Sequence, residues 1–110
     1  DYTSALLFYD SALQIRRELK LTVYEASTLE NIAYVYEARG DIQKSLAIHK
    51  QVLTIFNNTE SRSRLTTSLN NIAEIKYKLG DVRESLVFIE SSIENGLVLR
   101  LPVELKRAYL

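Results

Sequence analysis

Cysteine, methionine and tryptophan are absent from this 110-residue chain, proline occurs once and glycine three times. Without cysteine there is no disulfide, no thiol nucleophile and no thiolate metal site. The same absence suits a reducing compartment and a secreted helical domain alike, so the compartment stays open, with a lean to the cytoplasm. Fourteen basic residues balance fourteen acidic ones, and a net charge of zero gives no overall field toward nucleic acid or an anionic membrane. No apolar run approaches the roughly 20 residues of a membrane span, and no charged-then-apolar leader opens the chain. A chain that lacks methionine and starts part-way into a repeating pattern is expected to be a piece of a larger protein.

What is present is a repeat. Leu29-Glu30-Asn31-Ile32-Ala33 recurs as Leu69-Asn70-Asn71-Ile72-Ala73, and Gly40-Asp41-Ile42 with Ser45-Leu46 recurs as Gly80-Asp81-Val82 with Ser85-Leu86. The shift is 80 − 40 = 40 residues. The same step backwards sets Asp1-Tyr2 on Asp41-Ile42 and Ala5-Leu6 on Ser45-Leu46, so the chain opens at the second helix of a unit. Repeats of this length that hold two helices cannot each bury an apolar face alone, and stacked units share a core.

Helical periodicity runs through both halves of each unit, with no strand-like alternation. Gly40 and Gly80 suit the left-handed position just past a helix end, and Asp41 and Asp81 can accept from the free N–H groups of the next helix. Asp81-Val82-Arg83-Glu84 and Thr22-Val23-Tyr24-Glu25 read as capping boxes, and Pro102 as a first helical residue. The expected helices lie near 2–20, 22–39, 42–57, 60–79, 82–100 and 102–110, with Gly96 a weak point at which the fifth could stop. The expected organisation is a single all-α array: 1–20 the second helix of a truncated unit, 21–60 and 61–100 full units, and 101–110 the start of a further helix.

Asn-Ile-Ala, then Gly-Asp and a small-Leu pair on the second helix, resembles the tetratricopeptide repeat, in the variety of about 40 residues seen in kinesin light chains and bacterial signalling proteins. The resemblance spans essentially the whole chain. It implies an α-solenoid of antiparallel helix pairs in a right-handed superhelix, its concave wall built from the first helix of each pair, here 22–39, 60–79 and 102–110. Ser45 and Ser85 stand where the family usually carries alanine, and Lys76 replaces the aromatic that Tyr36 supplies, so looser packing is expected there.

Leu29, Ile32, Ala33, Leu69, Ile72 and Ala73 repeat at core spacing and are expected to pack between helices. The remaining face of the first helices carries Ser27, Glu30, Tyr34 and Glu37, then Thr67, Asn70, Glu74, Tyr77 and Lys78. Residues three and four apart share a face, so Glu30, Tyr34 and Glu37, and Asn70, Glu74 and Tyr77, form an acidic and aromatic surface that would suit a partner with Lys or Arg beside an apolar residue. An ordinary solvated face is the alternative. By the resemblance, Asn31 and Asn71 can bond a bound peptide's backbone or a neighbouring helix. The carboxylate clamp of some family members needs Lys, Arg and Asn on this face, and Glu30, Tyr34, Asn70 and Glu74 do not supply it.

His49 is the one histidine, at a position where the repeat elsewhere holds Tyr9 and Ile89, so a packing role is expected. No metal-ligand pair forms at its helical spacing, and no nucleophile, phosphate loop or ligand set accompanies the carboxylates. The chain is therefore expected not to be an enzyme and to need no cofactor or metal. Arg16, Arg17, Lys20, Arg62, Arg64, Arg100, Lys106 and Arg107 are expected to serve helix C-termini and turns. The sequence points to a protein- or peptide-binding repeat scaffold, with the resemblance adding a regulatory or sensory place in a signalling protein. The competing reading is a spacer or self-association module, through exposed apolar ends that include Leu6, Leu7, Leu105, Tyr109 and Leu110.

Overall fold

A computed structural model describes residues 1–59, 61–100 and Pro102. Among these, five helices and no strand occur: α1 (Tyr2–Glu18), α2 (Thr22–Ala38), α3 (Ile42–Asn57), α4 (Arg62–Lys78) and α5 (Val82–Leu99). The expected bounds of these five hold to within about two residues. α5 runs through Gly96 to Leu99 rather than stopping, as one glycine in a helix costs only about 1 kcal/mol against alanine. Of the helix expected over 102–110, Pro102 is described and is not helical, and the remainder, with Leu105, Lys106, Arg107, Tyr109 and Leu110, lies outside the described residues. The chain divides into two compact units, Asp1–Ile55 and Phe56–Leu110. The first contains α1, α2 and nearly all of α3; the second contains the end of α3, with α4 and α5.

Three helix ends are built alike. After α1, the Lys20 N–H donates to the Arg17 carbonyl at 3.1 Å and the Leu21 N–H to Arg16 at 2.9 Å. After α2, Gly40 donates to Glu37 at 3.0 Å and Asp41 to Tyr36 at 2.8 Å; after α4, Gly80 donates to Tyr77 at 3.0 Å and Asp81 to Lys76 at 2.9 Å. Each is a Schellman cap, in which the middle turn residue takes a left-handed conformation so that two orphan carbonyls find donors. Gly40 (φ 90°) and Gly80 (φ 85°) occupy that position as expected, and Lys20 (φ 56°) occupies it without being glycine.

The third turn residue closes one helix and opens the next. Asp81 caps α5 by accepting from the Glu84 N–H at 3.2 Å, and Asp1 caps α1 by accepting from Thr3 at 3.2 Å. The capping box expected at Thr22 is not formed. Leu21 is the residue preceding α2, with no side-chain cap, and Thr22 is already helical. The Schellman bond from the Leu21 N–H fixes Leu21 in the register that Asp41 and Asp81 hold, which places Thr22 opposite Ile42 and Val82.

In the first unit Leu13, Ala26, Leu29, Ile32, Ala33, Leu46 and Val52 are buried, together with Thr28, Ser45 and His49. In the second, Phe56, Leu65, Leu69, Ile72, Ala73 and Ile75 are buried, with Ser68, Ser85 and Ser92. All six residues expected in the core are there, and each large aliphatic buried this way contributes about 1.5–3 kcal/mol. Packing is not loose at the two serines, which are 0% and 2% exposed. Their hydroxyls differ: Ser85 donates to the Ala73 carbonyl at 2.8 Å, whereas the Ser45 hydroxyl has no partner. An unsatisfied buried hydroxyl costs about 1–3 kcal/mol. Ser45→Ala should therefore raise the urea midpoint, by about 1 kcal/mol of stability, while Ser85→Ala should lower it slightly.

Nor is packing loose at Lys76. In the first unit the Lys44 ammonium lies 5.5 Å from the Tyr36 ring centre, with the Arg39 guanidinium 5.7 Å away. One repeat later both members have changed: Lys76 pairs with Glu84 at 2.6 Å and reaches Asp81 at 4.0 Å, and its side chain is only 13% exposed. A cation over a ring has become an ion pair at the same two positions. The Asp81 carboxyl sits below its ordinary value of 3.8, through side-chain and then backbone hydrogen bonding with Glu84 and the nearby charges of Lys76 and Arg83. As pH falls, the unfolded chain takes up this proton first, so the contribution is whole above about pH 4 and is lost as pH drops through the lower folded value. Asp81→Asn should flatten the acid limb of a stability-against-pH curve below about pH 4 and leave the neutral region's slope unchanged.

Arg16 and Arg17 stand in the last turn of α1, as expected, and brace it to the next helix as well. Arg16 donates to the Tyr24 carbonyl at 3.1 Å and to Thr28, and lies 5.5 Å from the Tyr24 ring centre. Arg17 pairs with Glu25 at 3.3 Å, so the end of α1 is tied to the first turns of α2. In the second unit Arg62 donates to Asn95, and Arg64 lies over Phe56.

Candidate partner-binding face

Alanines at 26 and 33 and serine at 68 leave the first helices narrow on the side that packs, and the longer polar residues fall on the other side. On α2, Glu30 and Glu37 are half-buried, Asn31 is exposed, and Tyr34 is 46% exposed. The Tyr34 ring meets buried His49 of α3 edge to face, with centres 5.6 Å apart at 63°. His49, 1% exposed, thus has the packing role expected of it, and it supports the inner side of the tyrosine. Glu30, Tyr34 and Glu37 are each engaged in further interactions.

On α4, Asn70, Glu74 and Tyr77 are exposed and Asn71 is half-buried and engaged. Lys78 lies 3.7 Å from Glu74, an exposed pair one turn apart that contributes a few tenths of a kcal/mol at most. Asn70, Glu74 and Tyr77 line an open hollow of about 340 Å³, whose other walls are Ala73 of α4 and Ser85 and Ile89 of α5. Asn70, Glu74 and Tyr77, which share a face by spacing, therefore converge on one depression, and Thr67, Asn71 and Lys78 are not among its lining.

The hollow has an apolar floor and a polar rim. Ala73 and Ile89 offer methyl surface, Asn70 offers an amide able to donate and accept, Glu74 offers a carboxylate, and Tyr77 a ring with a hydroxyl. Ile89 was the residue that sequence spacing passed over. Its signal was the exchange of buried His49 for a wholly apolar isoleucine one repeat later, which stands 39% exposed. Tyr34 and Glu74 are likewise equivalent positions, so the first unit has a ring where the second has a carboxylate.

Among the described residues no group of three or more metal-ligating side chains occurs, and no helix is long and apolar enough to cross a membrane. No curated protein and no solved structure matches the chain. A family model of the tetratricopeptide repeat matches residues 24–96, which is well over half of the sequence and includes both Asn-Ile-Ala segments and both Gly-Asp turns. The chain belongs to the tetratricopeptide repeat family.

Proposed function

We propose that this chain holds a peptide segment of a protein partner on the exposed face of α4, at the hollow of its second unit. Tetratricopeptide repeats are scaffolds without catalytic function of their own that generally mediate protein–protein interaction. The observation that carries the finer reading is the α4–α5 hollow, where Asn70, Glu74 and Tyr77 surround an apolar floor. An aliphatic or aromatic side chain of the partner would fill the floor. A neighbouring Lys or Arg would meet Glu74, and the Asn70 amide can bond the peptide backbone. Within the first unit, Tyr34 with Glu30 and Glu37 on α2 forms an acidic and aromatic surface of its own with Asn31 beside it, and in the second unit Asn71 stands beside Asn70. The place of such a module in a regulatory or sensory segment of a signalling protein rests on resemblance alone.

The test is an array of synthetic decapeptides that pair one apolar residue with flanking Lys/Arg or with flanking Asp/Glu, read by fluorescence polarisation. The basic set should bind, and Glu74→Lys and Tyr77→Ala should each weaken it about tenfold while circular dichroism stays unchanged. Equal binding of both sets, no binding, or retention of affinity in both variants would overturn the reading.

A further inference from the structure

Near the end of α5, Asn95 is followed by Gly96. Asn31, Asn57, Asn58, Asn70 and Asn71 are followed by isoleucine, asparagine, threonine, asparagine and isoleucine. The side-chain amide of an asparagine can be attacked at Cγ by the backbone nitrogen of the next residue, and a side chain on that residue shields the nitrogen. Glycine carries no shield, and it reaches the backbone conformations that the attack requires. Asn95 alone among the asparagines has such a neighbour.

The fold holds this amide at both of its polar atoms. Asn95 Nδ2 donates to the Ser91 carbonyl at 2.9 Å, and Asn95 Oδ1 accepts from the Arg62 guanidinium of α4. The first bond draws the side chain toward the N-terminus of α5, the direction in which helical side chains lean. The Gly96 nitrogen lies on the opposite, C-terminal side, and in an α-helix its hydrogen is committed to the carbonyl four residues back, that of Ser92. Attack therefore requires the last turn of α5 to unwind and Arg62 to let go. Gly96 lowers the helix propensity of that turn, and helix ends open more readily than interiors.

We infer that Asn95 and Gly96 form a self-modification site, latched by Arg62 and released when the last turn of α5 opens. The Gly96 nitrogen gives its proton to water or hydroxide and bonds to Asn95 Cγ; the Cγ–Nδ2 bond breaks, and the nitrogen leaves as ammonia with a proton taken from water. Water then opens the cyclic imide. Attack at Cγ gives aspartate in an ordinary chain, and attack at the main-chain carbonyl carbon gives isoaspartate, in which the chain runs through Cβ and Cγ. Either way a water is consumed, an ammonia is released and the chain, neutral overall, gains a negative charge. The two products diverge in structure. Aspartate sets a carboxylate opposite Arg62, turning a hydrogen bond into an ion pair. Isoaspartate adds a methylene to the main chain, so the ladder of α5 cannot continue past it. Ile89 and the hollow it lines precede the break.

Incubation of the chain at mildly alkaline pH, followed by peptide mapping with mass spectrometry, should show conversion at Asn95 ahead of every other asparagine, about a hundredfold slower in the folded chain than in the urea-unfolded one. Arg62→Ala should speed the folded rate roughly tenfold, the factor that one charge-assisted hydrogen bond represents, with circular dichroism unchanged. Gly96→Ala should suppress conversion, and the added Cβ would have nothing within 4 Å of it. The rate should be flat in urea well below the unfolding midpoint, because unwinding one turn exposes little surface. Equal rates in the folded and unfolded chain, no conversion in the folded chain, or indifference to Arg62→Ala would overturn the inference. So would a rate that climbs from the first additions of urea, which would route the reaction through global unfolding.

Discussion

Ile72→Ala is expected to lower the unfolding free energy by about 3 kcal/mol, a value in the middle of the range for large-to-small changes at sealed core positions. Ile72 is 0% exposed, with Leu69, Ala73 and Ile75 of its own helix also buried around it. Three carbon atoms are removed, and the void they leave is lined by side chains already fixed by packing. Partial collapse would recover some of the cost, which is why the expected figure is not the upper limit. Urea unfolding followed by circular dichroism measures it, and amide exchange should show the loss first in α4 and α5. Val87→Ala is the control: Val87 is 56% exposed, and its change should stay within about 0.5 kcal/mol. Equal effects at the two positions would mean that burial does not order the stability of this unit.

Gly80→Ala is expected to cost about 1–2 kcal/mol, because a Cβ in the left-handed region is pressed against the following carbonyl. The strain is conformational and not a clash with neighbours, since nothing lies within 4 Å of where that Cβ would stand. Lys20→Gly is the converse at the equivalent turn, where a side chain already sits at φ 56°. It should stabilise by about 0.5 kcal/mol, the relief of strain being partly offset by the greater freedom of glycine in the unfolded chain. Thermal melts of the two variants should move in opposite directions. If both fell, the Schellman geometry would not be what sets the residue preference at these turns.

The helices were legible because two independent signals agreed. The 40-residue recurrence located the units, and glycine before aspartate located the turns inside them. Where only one signal was present, the reading slipped. The α1–α2 turn lacks glycine, and with no left-handed marker to fix the register, a four-residue motif alone points to Thr22 as a cap. Its position relative to Ile42 and Val82, 20 residues on and 60 residues on, would have corrected this.

The candidate face was legible in part for a similar reason. Glu30, Tyr34, Glu37, Asn70, Glu74 and Tyr77 follow from the polar side of a helix of known register, and the structure exposes or half-exposes every one of them. The hollow did not follow, because its lining includes Ile89, a residue of the next helix whose importance lies in being wholly apolar where the preceding repeat has an imidazole. Lys76 failed differently. Compared with Tyr36 alone it looked like a loss of packing, and only with Glu84 set beside it does the position make sense, since Glu84 stands where the earlier repeat has Lys44.

That paired exchange limits how such an array can be rearranged by recombination. A crossover that joined α2 to α5 would set the Tyr36 phenol against the Glu84 carboxylate, and one that joined α4 to α3 would set the Lys76 ammonium against that of Lys44. Either chimera keeps every turn and every apolar layer in register, yet meets a mismatched pair between its helices. The smallest segment that can be moved between positions with its chemistry intact is therefore the whole two-helix hairpin, and a breakpoint is tolerated between hairpins far better than within one.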